Sequence, residues 1–191
     1  MSNQQAGLFT PPHAQLIDDT FGRHIGVKET DARRLAWLAS QVPENGIIVE
    51  VGSFWGRSAG YMASAMHRSV QLFCVDKWPN LVDLEKFKRN ISSLALGHFN
   101  VQTMRGESVE MSKKWSGRPI DLLYIDATHT YAMVQADYLA WAPFVRPGGL
   151  IAFHDYGART WPAVKRFVDE VASLEFQQLG IHQHVWSGVK R

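Results

Sequence analysis

The chain is poor in cysteine, in net charge and in long apolar runs. One cysteine, Cys74, stands among 191 residues. A single thiol closes no internal disulfide and suits a reducing compartment, so the expectation is a cytoplasmic protein. Twenty Lys and Arg against 18 Asp and Glu leave a formal charge of only +2. That balance marks out no surface for nucleic acid or for a membrane. No apolar run reaches the roughly 18 residues of a membrane span, and no signal-peptide pattern opens the chain. Repeats, low-complexity tracts and a second-domain linker are likewise missing.

What remains is an ordinary globular composition, 46% hydrophobic and 20% charged, long enough for one domain with a full core. Cys74 lies in the apolar run Leu72-Phe-Cys-Val75 and reads as a buried thiol. The seven tryptophans read as core or interface anchors. Residues 1–28 form an N-terminal segment, with Ser2 to Gln5 frayed and Pro11-Pro12 breaking any early helix. Residues 29–191 read as a single domain. Thr30 or Asp31 is placed to cap its first helix, which Pro43-Glu-Asn-Gly46 ends. Apolar runs at 47–51, 70–75, 101–104, 120–125 and 150–153 read as strands. They alternate with helical stretches at 58–66, 81–96, 109–115, 131–144 and 161–174. Arg146-Pro-Gly-Gly149 is a turn signal, and the tail over 176–189 suggests a closing antiparallel hairpin. This alternation predicts an α/β fold with a parallel sheet covered on both faces.

Polar residues gather where the strands end: Glu50, Asp76, Glu107, Asp126, His154 and Asp155. In open α/β sheets the ligand crevice lies along that edge. The richest stretch is Glu50-Val-Gly-Ser-Phe-Trp-Gly-Arg-Ser58, a strand end, a glycine-punctuated turn and a helix start. Gly52 and Gly56 would let backbone approach a ligand closely. An acid at Glu50 suits the cationic amine of S-adenosylmethionine, whereas a dinucleotide pyrophosphate prefers backbone donors and no adjacent acid. The plain alternative is a structural turn. Asp76, followed by Lys77, is placed to accept both hydroxyls of a ribose or to cap the next helix. Glu107 or Ser108 is placed to meet an adenine edge or to cap a helix. His129, three residues after Asp126, has the residue type of a general base at neutral pH. Asp126, His154 and Asp155 together offer oxygen and nitrogen ligands for a divalent cation, Mg²⁺ or another. The alternative is a set of loop-orienting hydrogen bonds. His182 and His184 read as two exposed histidines on one strand face, and Arg33-Arg34 and Lys113-Lys114 as solvated helix faces.

These residues resemble a known family. Val49 to Ser58, Phe73-Cys-Val-Asp76, Asp121 to Tyr131 and Arg146 to Tyr156 together are similar to the class I S-adenosylmethionine-dependent methyltransferases. The likeness is strongest to small-molecule O-methyltransferases of the catechol and macrolide-sugar types. It implies a Rossmann-like, doubly wound sheet of seven strands, mostly parallel, with an antiparallel last strand. It implies Glu50, Gly52, Ser53, Gly56 and Ser58 near the methionine part of the cofactor, Asp76 and Lys77 near the ribose, and Glu107 and Ser108 near the adenine. In metal-dependent relatives the positions matching Asp126, His154 and Asp155 bind magnesium, the last two usually as acids or amides. The position matching His129 is a catalytic lysine in the catechol type and a histidine in the sugar type.

The expected reaction is methyl transfer to a hydroxyl of a small-molecule acceptor. His129 would act as base, and Asp126 as acceptor ligand and cofactor-site residue. The 28-residue leader is short for a substrate cap, which leaves the acceptor site open or completed by a second copy in a homo-oligomer. Aromatics in the loops expected around it are Phe9, Phe21, Trp78, Tyr156 and Trp161. The rival readings are a nicotinamide-dependent oxidoreductase and a non-catalytic cofactor-binding protein of the same fold.

Overall fold

The computed structural model describes residues 9–21, 26–94 and 100–191; Ser2 to Gln5 and the end of the stretch predicted helical over 81–96 lie outside them. In chain order the elements are α1 (Ala14–Phe21), α2 (Glu29–Ser40), β1 (Ile47–Val51), α3 (Arg57–Ala65), β2 (Gln71–Asp76), α4 (Leu81–Ser93), β3 (Asn100–Arg105) and α5 (Ser108–Lys113). They continue with β4 (Ile120–Ile125), α6 (Tyr131–Trp141), β5 (Val145–Phe153), α7 (Pro162–Phe167), β6 (Phe176–His182) and β7 (Val185–Lys190). One seven-stranded sheet results, in the order β3-β2-β1-β4-β5-β7-β6. The pairs among β1 to β5 are parallel, and β7 runs antiparallel to both β5 and β6. This is the doubly wound seven-stranded sheet that the resemblance implied.

The central strands β1 and β4 are buried along their whole length, which is why they read as apolar runs interrupted only by Glu50 and Asp121. Their side chains alternate between two cores. Ile48, Leu72, Leu122 and Tyr124 pack under α1 to α4. Val49, Val75, Leu123 and Phe153 pack under α6 and α7. Glu50 has the parity of Ile48 and so points into the α1–α4 layer. The edge strand β3 is mostly exposed, and its polar sequence follows from that. Cys74 is fully buried on β2. Among the described residues no helix is long and apolar enough to cross a membrane.

Several local expectations are corrected. A helix, α1, forms directly after Pro11-Pro12 inside the leader. It is pinned by buried Asp18, which accepts from Arg57 Nη2 (2.7 Å) and from the Tyr61 hydroxyl (2.9 Å). The N-cap of α2 is Lys28, not Thr30 or Asp31, and it caps with no side-chain bond. Arg34 is buried rather than solvated and donates to Ser187 Oγ (2.7 Å). Arg146 to Gly149 does not precede a strand but lies within β5. The extra residues are absorbed where the β4–β5 register shifts between Ile120 and Leu122, with Gly148 in the left-handed region (φ +73°). The stretch 161–174 is not one regular helix: α7 passes into a π-helical turn over Val168–Ala172. His182 and His184 are half-buried, the first ending β6 and the second in the turn before β7.

Candidate active site

The ladder continues one residue past the strands and aligns the loops. Gly52 N–H donates to Val75 O (2.8 Å), Asp126 N–H to Val51 O (2.8 Å), Gly106 N–H to Asp76 O (2.9 Å) and His154 N–H to Ile125 O (3.1 Å). Parallel pairing thus sets Gly52, Asp76, Gly106, Asp126 and His154 along one edge of the sheet. Two cavities open there. The first, about 410 Å³, lies within the roughly 300–1,000 Å³ of small-ligand sites. The second encloses about 570 Å³. Asp126 lines both.

The first cavity brings together Gly52, Ser53, Gly56, Ser58, Asp76, Lys77, Glu107, Ser108 and Asp126. Glu50 does not reach its surface. That carboxyl is 0% exposed, accepts from the Ser58 hydroxyl and has no partner for Oε2. Burial pushes it up to about 7, against the hydrogen bond from Ser58. Asp76 accepts the Phe54 N–H (2.8 Å) on Oδ2 and the Trp78 N–H (2.9 Å) on Oδ1, which leaves each oxygen a second lone pair for a ligand. Lys77 pairs with Glu107 (3.1 Å), and Ser108 Oγ accepts from Trp141 Nε1 (2.9 Å). The glycines serve the fold before any ligand. A Cβ on Gly52, at φ +93°, would lie 2.2 Å from the Asp126 carbonyl oxygen. One on Gly56, at φ +94°, would meet the Phe87 ring at 2.9 Å. The cavity also takes in Val27, Met133 and Asp137, none of which carries a sequence signal.

The second cavity holds the histidines. His129 Nε2 lies 3.2 Å from Asp126 Oδ1 and 3.0 Å from Asp155 Oδ2. His154 Nδ1 lies 3.2 and 3.5 Å from the same two oxygens. Asp155 takes a left-handed backbone (φ +57°), which aspartate tolerates better than most residues. The Tyr124 hydroxyl donates to Asp126 Oδ2 (2.8 Å). Burial alone would raise Asp126; the His154 charge and the bonds from His129, His154 and Tyr124 overrule it and hold the carboxyl low. Burial alone would also raise Asp155, but hydrogen bonds from His129 and His154 and their charges hold it low. Hydrogen bonds to Asp126 and Asp155 push His129 up to about 9. Burial would lower His154, yet the Asp126 charge and its hydrogen bonds carry it to about 12. Both rings are therefore protonated at neutral pH when they face bare carboxylates.

Asp126, His154 and Asp155 can each point one ligand atom so that all lie within 4.8 Å of one another. Bonds of about 2.0–2.2 Å at tetrahedral or right angles set ligand atoms roughly 3.0–3.4 Å apart, and His154 Nδ1 stands 3.2 and 3.5 Å from the two carboxylate oxygens. Trp161 stacks on His129 at 4.8 Å between ring centroids and forms a wall of this cavity. The other loop aromatics do not share that role. Trp78 is buried against Phe87, Tyr156 bonds Asp169 (2.8 Å), and Phe21 lines the first cavity. Phe9 lines neither cavity. Asp31, read from the sequence as a cap, is fully buried beside His154.

Residues 49–156 match the model of a methyltransferase domain family. A curated relative, an uncharacterized protein of Acanthamoeba polyphaga mimivirus, is 28% identical over 137 residues, 67% of this chain. The match spans 62% of that relative's length. Among solved structures, an O-methyltransferase of tomaymycin synthesis from Streptomyces achromogenes, in complex with S-adenosylmethionine, superposes with a TM-score of 0.74 at 15% identity, covering 98% of this chain and 93% of that one. A TDP-rhamnose 3'-O-methyltransferase of calicheamicin biosynthesis superposes with a TM-score of 0.69 at 16% identity, covering 97% of each chain. At these identities the superpositions establish the fold, while the family match removes the nicotinamide alternative. The chain belongs to the methyltransferase domain family and has the fold of the class I S-adenosylmethionine-dependent methyltransferases.

Proposed function

We propose that the chain transfers the methyl group of S-adenosylmethionine to a hydroxyl oxygen of a small acceptor bound in the second cavity. The observation that carries this reading is Asp126, a wall of both cavities at once. A ligand in the first and a ligand in the second meet at that carboxylate, and methyl transfer requires such a meeting of donor and acceptor. The solved structures of similar fold include O-methyltransferases, one acting on a TDP-rhamnose, which agrees with an oxygen acceptor.

In this reading Asp76 and Lys77 hold the ribose, Glu107 and Ser108 the adenine, and Gly52, Ser53, Gly56 and Ser58 the methionine part. Glu50 supplies charge from beneath Ser58. Residues 26 and 27, just after α1, line the first cavity, so the leader closes over the cofactor as well as toward the acceptor. His129 takes the hydroxyl proton as the methyl moves from sulfur to oxygen. It does so only in its neutral form, which is scarce below about pH 9 while Asp126 and Asp155 both bear on it. A divalent cation on Asp126, His154 and Asp155 would supply Lewis acidity, lowering the hydroxyl pKa and drawing carboxylate charge away from His129. Trp161 holds the His129 ring and offers a flat apolar wall to the acceptor.

Mass spectrometry of the purified protein for bound S-adenosylhomocysteine tests the cofactor half. For the transfer half, His129→Ala should bind S-adenosylhomocysteine as wild type does and lose about 10²–10⁴ in turnover across a panel of hydroxylated acceptors. An unchanged rate would remove His129 from the reaction. Cofactor binding with no turnover on any acceptor would favour a binding protein of this fold.

A further inference from the structure

His154 makes the cation site of this chain unlike a purely acidic one, and a second residue stands behind it. Asp31 lies in the first turn of α2 and is 0% exposed. Its Oδ1 accepts the backbone N–H of His184 (3.0 Å), which ties α2 to the turn before β7. Its Oδ2 lies 3.5 Å from His154 Nε2, and both atoms are buried without a hydrogen-bond partner. A buried carboxylate oxygen and a buried ring nitrogen with only each other to face define the ring's orientation. Nε2 faces Asp31 and Nδ1 faces Asp126 and Asp155; a cation held by those two carboxylates would take the Nδ1 lone pair in place of a proton and leave the Nε2 proton toward Asp31. A carboxylate behind a histidine in this way fixes the tautomer of a metal-binding imidazole.

His129 faces the cluster from the opposite side. His129 Nε2 lies 3.2 and 3.0 Å from the two oxygens that His154 Nδ1 approaches at 3.2 and 3.5 Å. The His154 nitrogen and the two carboxylate oxygens group as the ligands of one small cation, and His129 faces the same oxygens as their ion-pair partner. Imidazole suits first-row transition cations, while Mg²⁺ prefers oxygen ligands and water.

Resting on the cation site described under the proposed function, we propose that Asp31 is a positioning residue. It holds His154 with Nδ1 inward and thereby biases the site toward first-row transition cations over Mg²⁺. The effect belongs to the nitrogen ligand, so losing Asp31 should weaken a transition cation and spare Mg²⁺.

The test is equilibrium dialysis of the full chain against Co²⁺ and against Mg²⁺, with the visible absorption of bound Co²⁺ as a second readout. Co²⁺ outranks Mg²⁺ at most nitrogen-bearing sites, so the informative quantity is the change in their affinity ratio. Asp31→Asn keeps an oxygen for the His184 N–H. It should lose about 10–100-fold in Co²⁺ affinity and less than about threefold in Mg²⁺ affinity. His154→Asp should cut the ratio by more than about tenfold and alter the Co²⁺ spectrum. S-adenosylhomocysteine affinity, read on both variants, reports that each is folded. Equal loss of both cations in a folded Asp31→Asn, or no loss of either, overturns the role of Asp31 and leaves the cation site standing. Wild-type protein that binds neither cation overturns the site and this inference together, while the methyl-transfer reading is still decided by cofactor binding and turnover.

Discussion

Replacing Glu50 with glutamine isolates one buried charge beneath the cofactor cavity. The Glu50 carboxyl is fully buried and raised from 4.5 to about 7, chiefly by burial. A rise of that size corresponds to about 3 kcal/mol. The sign follows from proton linkage. The folded protein holds this proton more tightly than the unfolded chain does. The contribution is complete below about pH 4.5 and is lost as pH rises through about 7. His129 and His154 are raised as well, so their stabilisation is present below about 6.5 and fades as pH rises toward about 9 and about 12. Wild-type stability alone therefore mixes three groups, and the difference between wild type and Glu50→Gln separates the one. Glutamine is the neutral isostere and still offers an oxygen to Ser58. The variant should match wild type within about 1 kcal/mol near pH 5 and exceed it by about 2–3 kcal/mol near pH 8.5. For a chain of this length that gap is roughly 4–12 °C in Tm. The assay is urea and thermal unfolding of cofactor-free protein at both pH values. A gap that stays constant between them would mean that Glu50 is already ionised in the fold, and the burial argument would be wrong. The cationic amine of the cofactor favours ionised Glu50. Calorimetry of S-adenosylhomocysteine binding near pH 6, repeated in buffers of different ionisation enthalpy, should accordingly find a proton released by wild type and not by the variant.

Asp76→Ala removes the acceptor for the Phe54 and Trp78 N–H groups as well as the one offered to a ribose. It should cost about 1–3 kcal/mol in unfolding free energy and weaken S-adenosylhomocysteine binding by about tenfold or more in calorimetry; unchanged affinity would take the ribose away from Asp76. Gly52→Ala places a Cβ 2.2 Å from the Asp126 carbonyl oxygen at φ +93°, and neither backbone can yield without opening the β1–β4 edge. It should destabilise by about 3 kcal/mol or more, read as a lowered urea midpoint, and a midpoint equal to wild type would show that the loop has room to spare.

The sheet was legible because burial on both faces writes itself into sequence. Ile47 to Val51 and Ile120 to Ile125 are apolar but for Glu50 and Asp121. The closing hairpin showed by alternation. The breaks in legibility have equally local causes. Arg146-Pro-Gly-Gly149 carries every mark of a turn, yet β4 leaves room for extra residues at Ile120 to Leu122 and the strand absorbs them. The helix over 162–175 has a continuous apolar pattern, and nothing in that pattern distinguishes a π turn from regular winding. Glu50 was legible as a polar residue at the strand end beside the first cavity, but not as a buried one. Its depth comes from strand parity, which turns it toward α3, and from Ser58 lying over it.

The second cavity was legible as a list of residues and not as a charge balance. Asp126, His129, His154 and Asp155 come from two loops, and each was visible as a polar residue after an apolar strand. A histidine in such a loop invites the pKa of a free imidazole. The structure sets it against two carboxylates at 3.2 and 3.0 Å, and the ring becomes a cation at the pH where a base was wanted. Spacing along the chain cannot report this, because Asp155 is 26 residues away and arrives through the β4–β5 crossover. Asp31 is further still, on a helix before the first strand, where a capping role is the natural reading of an acid in a first turn. It faces instead a residue more than a hundred positions later. If His129 is the base, as proposed, Asp126 and Asp155 must be neutralised before it can accept a proton. In the proposed reaction a cation on Asp126, His154 and Asp155 would do this, and turnover measured against pH with and without added cation checks it.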